Sequence, residues 1–229
     1  MDSAQPQVPR LDYTGEGLTE ADLAATPLEQ AQRWLAEAVN RRVELGLVEP
    51  SELAVATVDG AGRPNVRVVL MRFLDALGPG FVTDTASIKA SEISAGGGMA
   101  AALTWSALFR AIRFRGTAEA MPQGQLDDYF RTRPWGSRIS AWASHQSAPV
   151  ADRNELEATF AAYAERWPDR GGPDDVPIPP TWGGYRLIPD EVEFWAGRAS
   201  RLHDRLVFTR VGAGGLDVAQ AWQVFRRQP

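Results

Sequence analysis

The feature that most constrains this chain is a pair of β-branched, apolar runs, residues 53–58 and 66–73, on either side of Asp59-Gly60-Ala61-Gly62. Glycines at a reversal between two such runs signal an antiparallel hairpin. A lone hairpin is marginal in water, so more strands must follow. Strand-like runs recur at 81–83, 99–105, 112–118, 184–188, 192–195, 206–210 and 222–225. Helical patterns interrupt them. Thr26-Pro27-Leu28-Glu29 joins an N-cap threonine, a first-turn proline and a capping-box glutamate, which predicts a helix over 27–44, stopped near Gly46. Ser87 can cap a short helix to about Ala95, broken by Gly96-Gly97-Gly98, and further helices are expected after Pro122 to about Arg131, over 137–143 and over 152–167. A loop rich in Pro, Gly and Asp, 168–181, ends that block. The expected class is α+β: a mostly antiparallel barrel with peripheral helices. Residues 1–26, polar with Pro6 and Pro9, read as a flexible N-terminal arm with an ordered stretch around Arg10-Leu11-Asp12-Tyr13, and 27–229 as one domain.

Composition removes whole classes of chemistry. The 229 residues include no cysteine, which excludes thiol catalysis, cysteine-held metals and disulfides, and fits a cytoplasmic setting. With two histidines, His145 and His203, and no HExxH, no metal centre is expected. A net charge of −5 gives no global attraction to nucleic acid or to an anionic membrane. The longest apolar stretch, 99–109, is about half a membrane span. The N-terminus shows no targeting pattern, and no P-loop or GxGxxG spacing occurs.

Any anion site must therefore be local. Arg67 and Arg72 share a strand, Lys89 lies early in a helix, and Arg131 and Arg133 stand beside Tyr129 and Ser137. Arginine forks with hydroxyls suit phosphate esters, and a helix N-terminus beside Ser87, Lys89 and Arg67 adds amide donors. Taken singly, each is also what a solvated strand edge or helix face carries. Lys89 is the one lysine among 24 basic residues, so an arginine in place of a lysine here reads as compositional bias. Arg201-Leu202-His203-Asp204-Arg205 concentrates charge unusually, and some of the eight tryptophans are candidates to flank a planar ligand.

Six segments taken in order resemble the pyridoxine (pyridoxamine) 5'-phosphate oxidase family: 67–72, 87–90, 129–134, 140–147, 182–186, and 192–195 with 201–205. The resemblance implies an FMN-binding split β-barrel, a homodimer with its site at the interface, and oxidation of a phosphorylated B6 vitamer by O2 to pyridoxal 5'-phosphate and H2O2. Carried over by position, it implies FMN contacts at Arg67, Val68, Thr83, Lys89, Gln146, Ser147, Trp195 and Arg205. The substrate phosphate would meet Arg72, Tyr129, Arg133 and Ser137, with Arg201 and His203 over the pyridine ring as the catalytic pair and Glu49 a further place for proton handling.

The chain departs from the family pattern at four places. Ile88 stands where an arginine is usual, Ala111 where a glutamine is usual, Arg72 where a lysine is usual, and Arg227 where the terminal motif has leucine. The resemblance therefore also extends to a diverged FMN-dependent oxidase like the phenazine-pathway relatives, and to a non-catalytic FMN or pyridoxal-phosphate binding protein.

Overall fold

The computed structural model describes residues 12–229. Its strands are β1 (Glu52–Val58), β2 (Pro64–Leu70), β3 (Phe73–Asp75), β4 (Gly78–Asp84), β5 (Gly98–Trp105), β6 (Arg110–Ala120), β7 (Trp182–Ala196), β8 (Asp204–Arg210) and β9 (Trp222–Arg226). Its helices are α1 (Pro27–Asn40), α2 (Ile88–Gly96), α3 (Gln123–Thr132), α4 (Trp135–Ala143) and α5 (Arg153–Arg166). The strands form one antiparallel sheet in the order β2-β1-β5-β6-β7-β4-β3, with β8 added to β7 and β9 to β8. This is the expected α+β split barrel.

The hairpin is present, but the run 66–73 divides. β2 pairs with β1 up to Leu70, the Met71 amide donates to Ser51, and the Arg72 amide donates across to Gly80 of β4. Arg72 thus sits where the chain crosses the split in the barrel. The two runs 184–188 and 192–195 prove to be one strand, β7, of 15 residues. Pro189 lies between them. It is accommodated at a β-bulge, where the β6–β7 register shifts between Arg115 and Gly116 and Gly116 faces Pro189. Any Cβ at Gly116 would stand 2.0 Å from the Ile188 carbonyl oxygen, so the bulge requires glycine.

The barrel interior is filled by alternate residues of the strands, among them Leu53, Val55, Leu103, Ile112, Phe114, Phe194 and Phe208, with Trp34 of α1 closing one end. A second apolar cluster, built on Phe130, Ile139 and Trp182, seats α3, α4 and α5 beside β7. α1 ends at Asn40, earlier than the expected 44, where Arg41 leaves helical geometry. Arg10 and Leu11 lie outside the described residues. Within the segment 12–26, Tyr13 meets Phe109 edge-on, and Leu18 is buried with its amide donating to Asp204.

Candidate functional site

A cleft of about 670 Å³ opens along the split between β2 and β4, bordered by α2, α3 and α4. Arg67, Val68, Arg72, Lys89, Tyr129, Arg133, Ser137 and Gln146 all line it. Eight of the expected binding residues therefore share one cavity, although they come from four separate elements and three connecting segments.

Strand periodicity sets the β2 wall. Asn65 and Arg67 lie opposite Thr57 and Val55 of β1 and share their barrel-side face, while Val66 and Val68 point outward and are 67% and 63% exposed. The Arg67 guanidinium donates from Nη1 to the Val55 carbonyl and the Thr57 hydroxyl, and from Nη2 to Glu92 at 2.7 Å. Opposite it, Ser87 occupies the N-cap position of α2 without capping the helix. Its hydroxyl instead lies 3.5 Å from the Lys89 ammonium, which also donates to Thr83 at 3.1 Å and to Gln146. Burial, with the nearby Arg67 charge, holds Lys89 below its ordinary value, while Asp84 and Glu92 oppose the shift. Ser147 is adjacent, its hydroxyl accepting the Ile88 amide at 3.3 Å.

The opposite wall is less neutralised. Arg133 lies over the Trp182 ring at 4.7 Å, and its buried Nη1 has no hydrogen-bond partner among the described residues. Burial draws its pKa below the ordinary arginine value, and the Arg72 charge adds to this against Tyr129. Among the described residues the Arg72 guanidinium has only one ion-pair contact, a long one to Glu49 at 3.9 Å. Ser137 stands in the first turn of α4, where free helix amides favour an anion. A buried, unpartnered guanidinium edge beside a second arginine is costly unless an anion completes it.

The remaining expected residues lie elsewhere. Trp195, Arg201, His203 and Arg205 do not line this cleft. Trp195 of β7 faces Arg205 of β8 on one side and Ala111 of β6 on the other. Four strand steps separate β2 from β7, about 19 Å along the sheet. Trp195 and His203 lie 4.8 Å apart between ring centres, and Tyr13 packs edge-on against both. His203 Nδ1 accepts the Arg198 amide, which leaves Nε2 to carry the proton of the neutral ring. Arg205 chelates the buried Glu193 at 2.8–3.1 Å. Of the four non-glycine residues with left-handed backbone among the described residues, Phe109, Ser147, Ser200 and Arg201, two are expected site residues, which fits strain held at functional positions.

Sequence reasoning missed the residues that hold these arginines. Glu92 follows Lys89 by three positions on α2, a spacing that puts both on one helix face, and Glu193 alternates with Val192 and Phe194 on β7; those patterns were the available signals. Trp182, the platform for Arg133, carried no local signal of that contact.

A cleft with cations on both walls, set in a curled antiparallel sheet, defines a split-barrel protein with a cation-lined groove. Residues 41–166 match the family described as pyridoxamine 5'-phosphate oxidase, and residues 182–229 match its pyridoxine 5'-phosphate oxidase C-terminal dimerisation region. The chain is 46% identical over 221 residues to the pyridoxine/pyridoxamine 5'-phosphate oxidase of Kineococcus radiotolerans, covering 96% of this chain and 97% of the relative. It is 42% identical to pyridoxine/pyridoxamine 5'-phosphate oxidase 1 of Ralstonia nicotianae, over 96% and 97% of the two chains. Among solved structures, PhzG from Burkholderia lata, in complex with tetrahydrophenazine-1-carboxylic acid, is similar with a TM-score of 0.81 and 31% identity, over 94% of this chain and 100% of that one. The chain belongs to the pyridoxine/pyridoxamine 5'-phosphate oxidase family, a family of oxidoreductases. Its C-terminal dimerisation region supports a homodimer, and no helix among the described residues is long and apolar enough to cross a membrane.

Proposed function

We propose that this protein is an FMN-dependent oxidase that converts pyridoxine or pyridoxamine 5'-phosphate to pyridoxal 5'-phosphate in the cytoplasm, as a homodimer with its site at the interface. The observation that carries the reading is the Arg133 guanidinium, buried with an unpartnered Nη1 beside Arg72, Tyr129 and Ser137. Arg67 and Lys89 stand on another wall of the same cleft, so two phosphates have two separate cationic pockets. The donors on that wall fit FMN: a guanidinium, an ammonium and hydroxyls suit its phosphate, and the cleft has room for a ring system.

When bound, FMN accepts two electrons from the substrate and passes them to O2. The alcohol loses two electrons and two protons to become the aldehyde, and O2 gains both to become H2O2. The amine loses the same and is then hydrolysed with release of ammonia. The protein's part is orientation. Arg72, Arg133, Tyr129 and Ser137 fix the substrate phosphate, and Arg201 and His203 of the second copy cover the pyridine ring, with Trp195, Arg205 and Ser147 at the flavin. The outward, exposed Val66, Val68 and Leu70 of β2 give the second copy an apolar surface to cover.

Similarity to PhzG and the presence of Ala111 favour a second reading, a diverged oxidase of tricyclic carboxylic acids. Anaerobic titration of the FMN-loaded protein separates the two. Bleaching of the flavin absorption by pyridoxine 5'-phosphate, reversed by air, is the expected outcome. Bleaching by a reduced phenazine carboxylic acid alone would establish the second reading, and bound flavin that neither reduces would leave a binding protein.

A further inference from the structure

Glu92 is a buried carboxylate that neither the resemblance nor the expected binding set uses, and it is 8% exposed. It accepts hydrogen bonds from the Thr57 hydroxyl, from Asn65 at 2.9 Å and from Arg67 Nη2 at 2.7 Å. The Thr57 hydroxyl lies between the two charges, donating to Glu92 and accepting from Arg67 Nη1, whose other hydrogen goes to the Val55 carbonyl. A guanidinium has five N–H groups. Three are used here, which leaves the Nε–H and one Nη2–H, the pair that forms a bidentate edge for an oxyanion.

We propose that Glu92 is a positioning residue, which holds one side of the Arg67 fork against β1 so that its remaining edge is presented to the phosphate of a bound flavin nucleotide. The inference rests on the FMN reading above. Burial disfavours the Glu92 charge, yet the bonds from Thr57, Asn65 and Arg67 outweigh it and keep the carboxyl below its ordinary value, so it is ionised at neutral pH. A carboxylate near a phosphate site would by charge alone weaken binding. Positioning and simple electrostatics therefore predict opposite signs for its removal, and this makes the role testable.

The measurement is quenching of flavin fluorescence as apoprotein is titrated into FMN and, separately, into riboflavin, which lacks the phosphate. Glu92→Ala is expected to weaken FMN about tenfold, leave riboflavin within about twofold, and have no further effect in an Arg67→Ala background. Glu92→Gln, which keeps an acceptor for Arg67, is expected to recover part of the loss, and the same cycle run on it serves if Glu92→Ala does not fold. Tighter or unchanged FMN binding in Glu92→Ala overturns the proposal. So does equal loss of FMN and riboflavin, or an undiminished effect without Arg67. If wild-type protein does not bind FMN, the functional reading fails first and takes the proposal with it. If it binds FMN but Arg67→Ala changes nothing, the proposal is overturned while the FMN reading stands.

Discussion

The Arg133 wall of the cleft and the β7–β8 end treat arginine in opposite ways, while Arg67 on the other wall is paired with Glu92. In the cleft, Arg133 keeps a buried donor without a partner among the described residues, and Arg72 has one contact at 3.9 Å. At the β7–β8 end the buried carboxylates are engaged. Glu193, 1% exposed, accepts from Arg113, Arg205 and Arg227, and Asp204 accepts from the Leu18 amide, Arg198 and Arg226. The surplus donors of the Arg133 wall are what the proposed function assigns to the substrate phosphate. Paired charges make the other end a scaffold, which fixes the backbone from which Trp195 and His203 present their rings. Under the proposed function, charge recognition and ring recognition thus fall in different parts of one fold.

The largest test of this contrast removes a scaffold carboxylate. Glu193→Ala leaves three arginines around a hole in the β7–β8 face, and the expected loss is about 3–5 kcal/mol of stability, read by denaturant unfolding. A loss below about 1 kcal/mol would mean that the arginines find water and that the pairing does not hold this end together. The second test removes a receptor cation. Arg133→Met puts an apolar side chain in place of the guanidinium that lies over the Trp182 and Phe130 rings, and deletes the orphaned donor. The expected result is a fall of about 100-fold in kcat/KM for pyridoxine 5'-phosphate with Tm unchanged or raised. A drop in Tm comparable with that of Glu193→Ala would erase the distinction between the two regions.

What the sequence disclosed, and what it hid, follows the same division. The hairpin, the capped α1 and the α+β barrel were legible because they rest on local rules: glycine at a reversal, threonine before proline, alternation along strands. Clustering of Arg67, Lys89, Arg72, Tyr129 and Arg133 was legible as chemistry, since cations and hydroxyls recur near helix starts. The single long β7 was not legible, because Pro189 breaks a strand by local rules and is tolerated only where Gly116 of another strand makes room. Packing of Tyr13 on Trp195 and His203 was equally hidden, since it spans most of the chain. The carboxylates behind the arginines escaped for a physical reason too: a buried glutamate is recognisable only once its cation is known to face it.

The cleft's pH response gives a smaller effect with a fixed sign. Lys89 has a lowered pKa in the folded, ligand-free protein and an ordinary one near 10.5 when unfolded. Between these two values the unfolded chain holds the extra proton, so this group makes the ligand-free protein more stable as pH rises through that window. A phosphate ligand prefers the protonated lysine, so FMN affinity should fall over the same window, by up to about tenfold per pH unit. Lys89→Arg, which stays charged, should flatten that fall in a fluorescence titration. If the fall persists in Lys89→Arg, a group other than Lys89 governs it.

The smallest expected change lies at the rim of the cleft. Ile88 opens α2, is 53% exposed, and lies beside Ser147 through its backbone amide. An arginine there would face the same anion as Lys89 and Ser87, in reach of water. A charge-assisted contact is worth up to about 3 kcal/mol when buried, but solvent screening lowers it, and a cation at a helix N-terminus opposes the dipole by about 0.3–1 kcal/mol. Ile88→Arg is therefore expected to tighten FMN by about threefold to tenfold and to leave Tm within about 1–2 °C. Equal gains for FMN and riboflavin would show that the new side chain packs on the ring system and leaves the phosphate alone. That outcome would move the anion pocket away from the start of α2 and toward the Arg133 wall, where the unpartnered donor already waits.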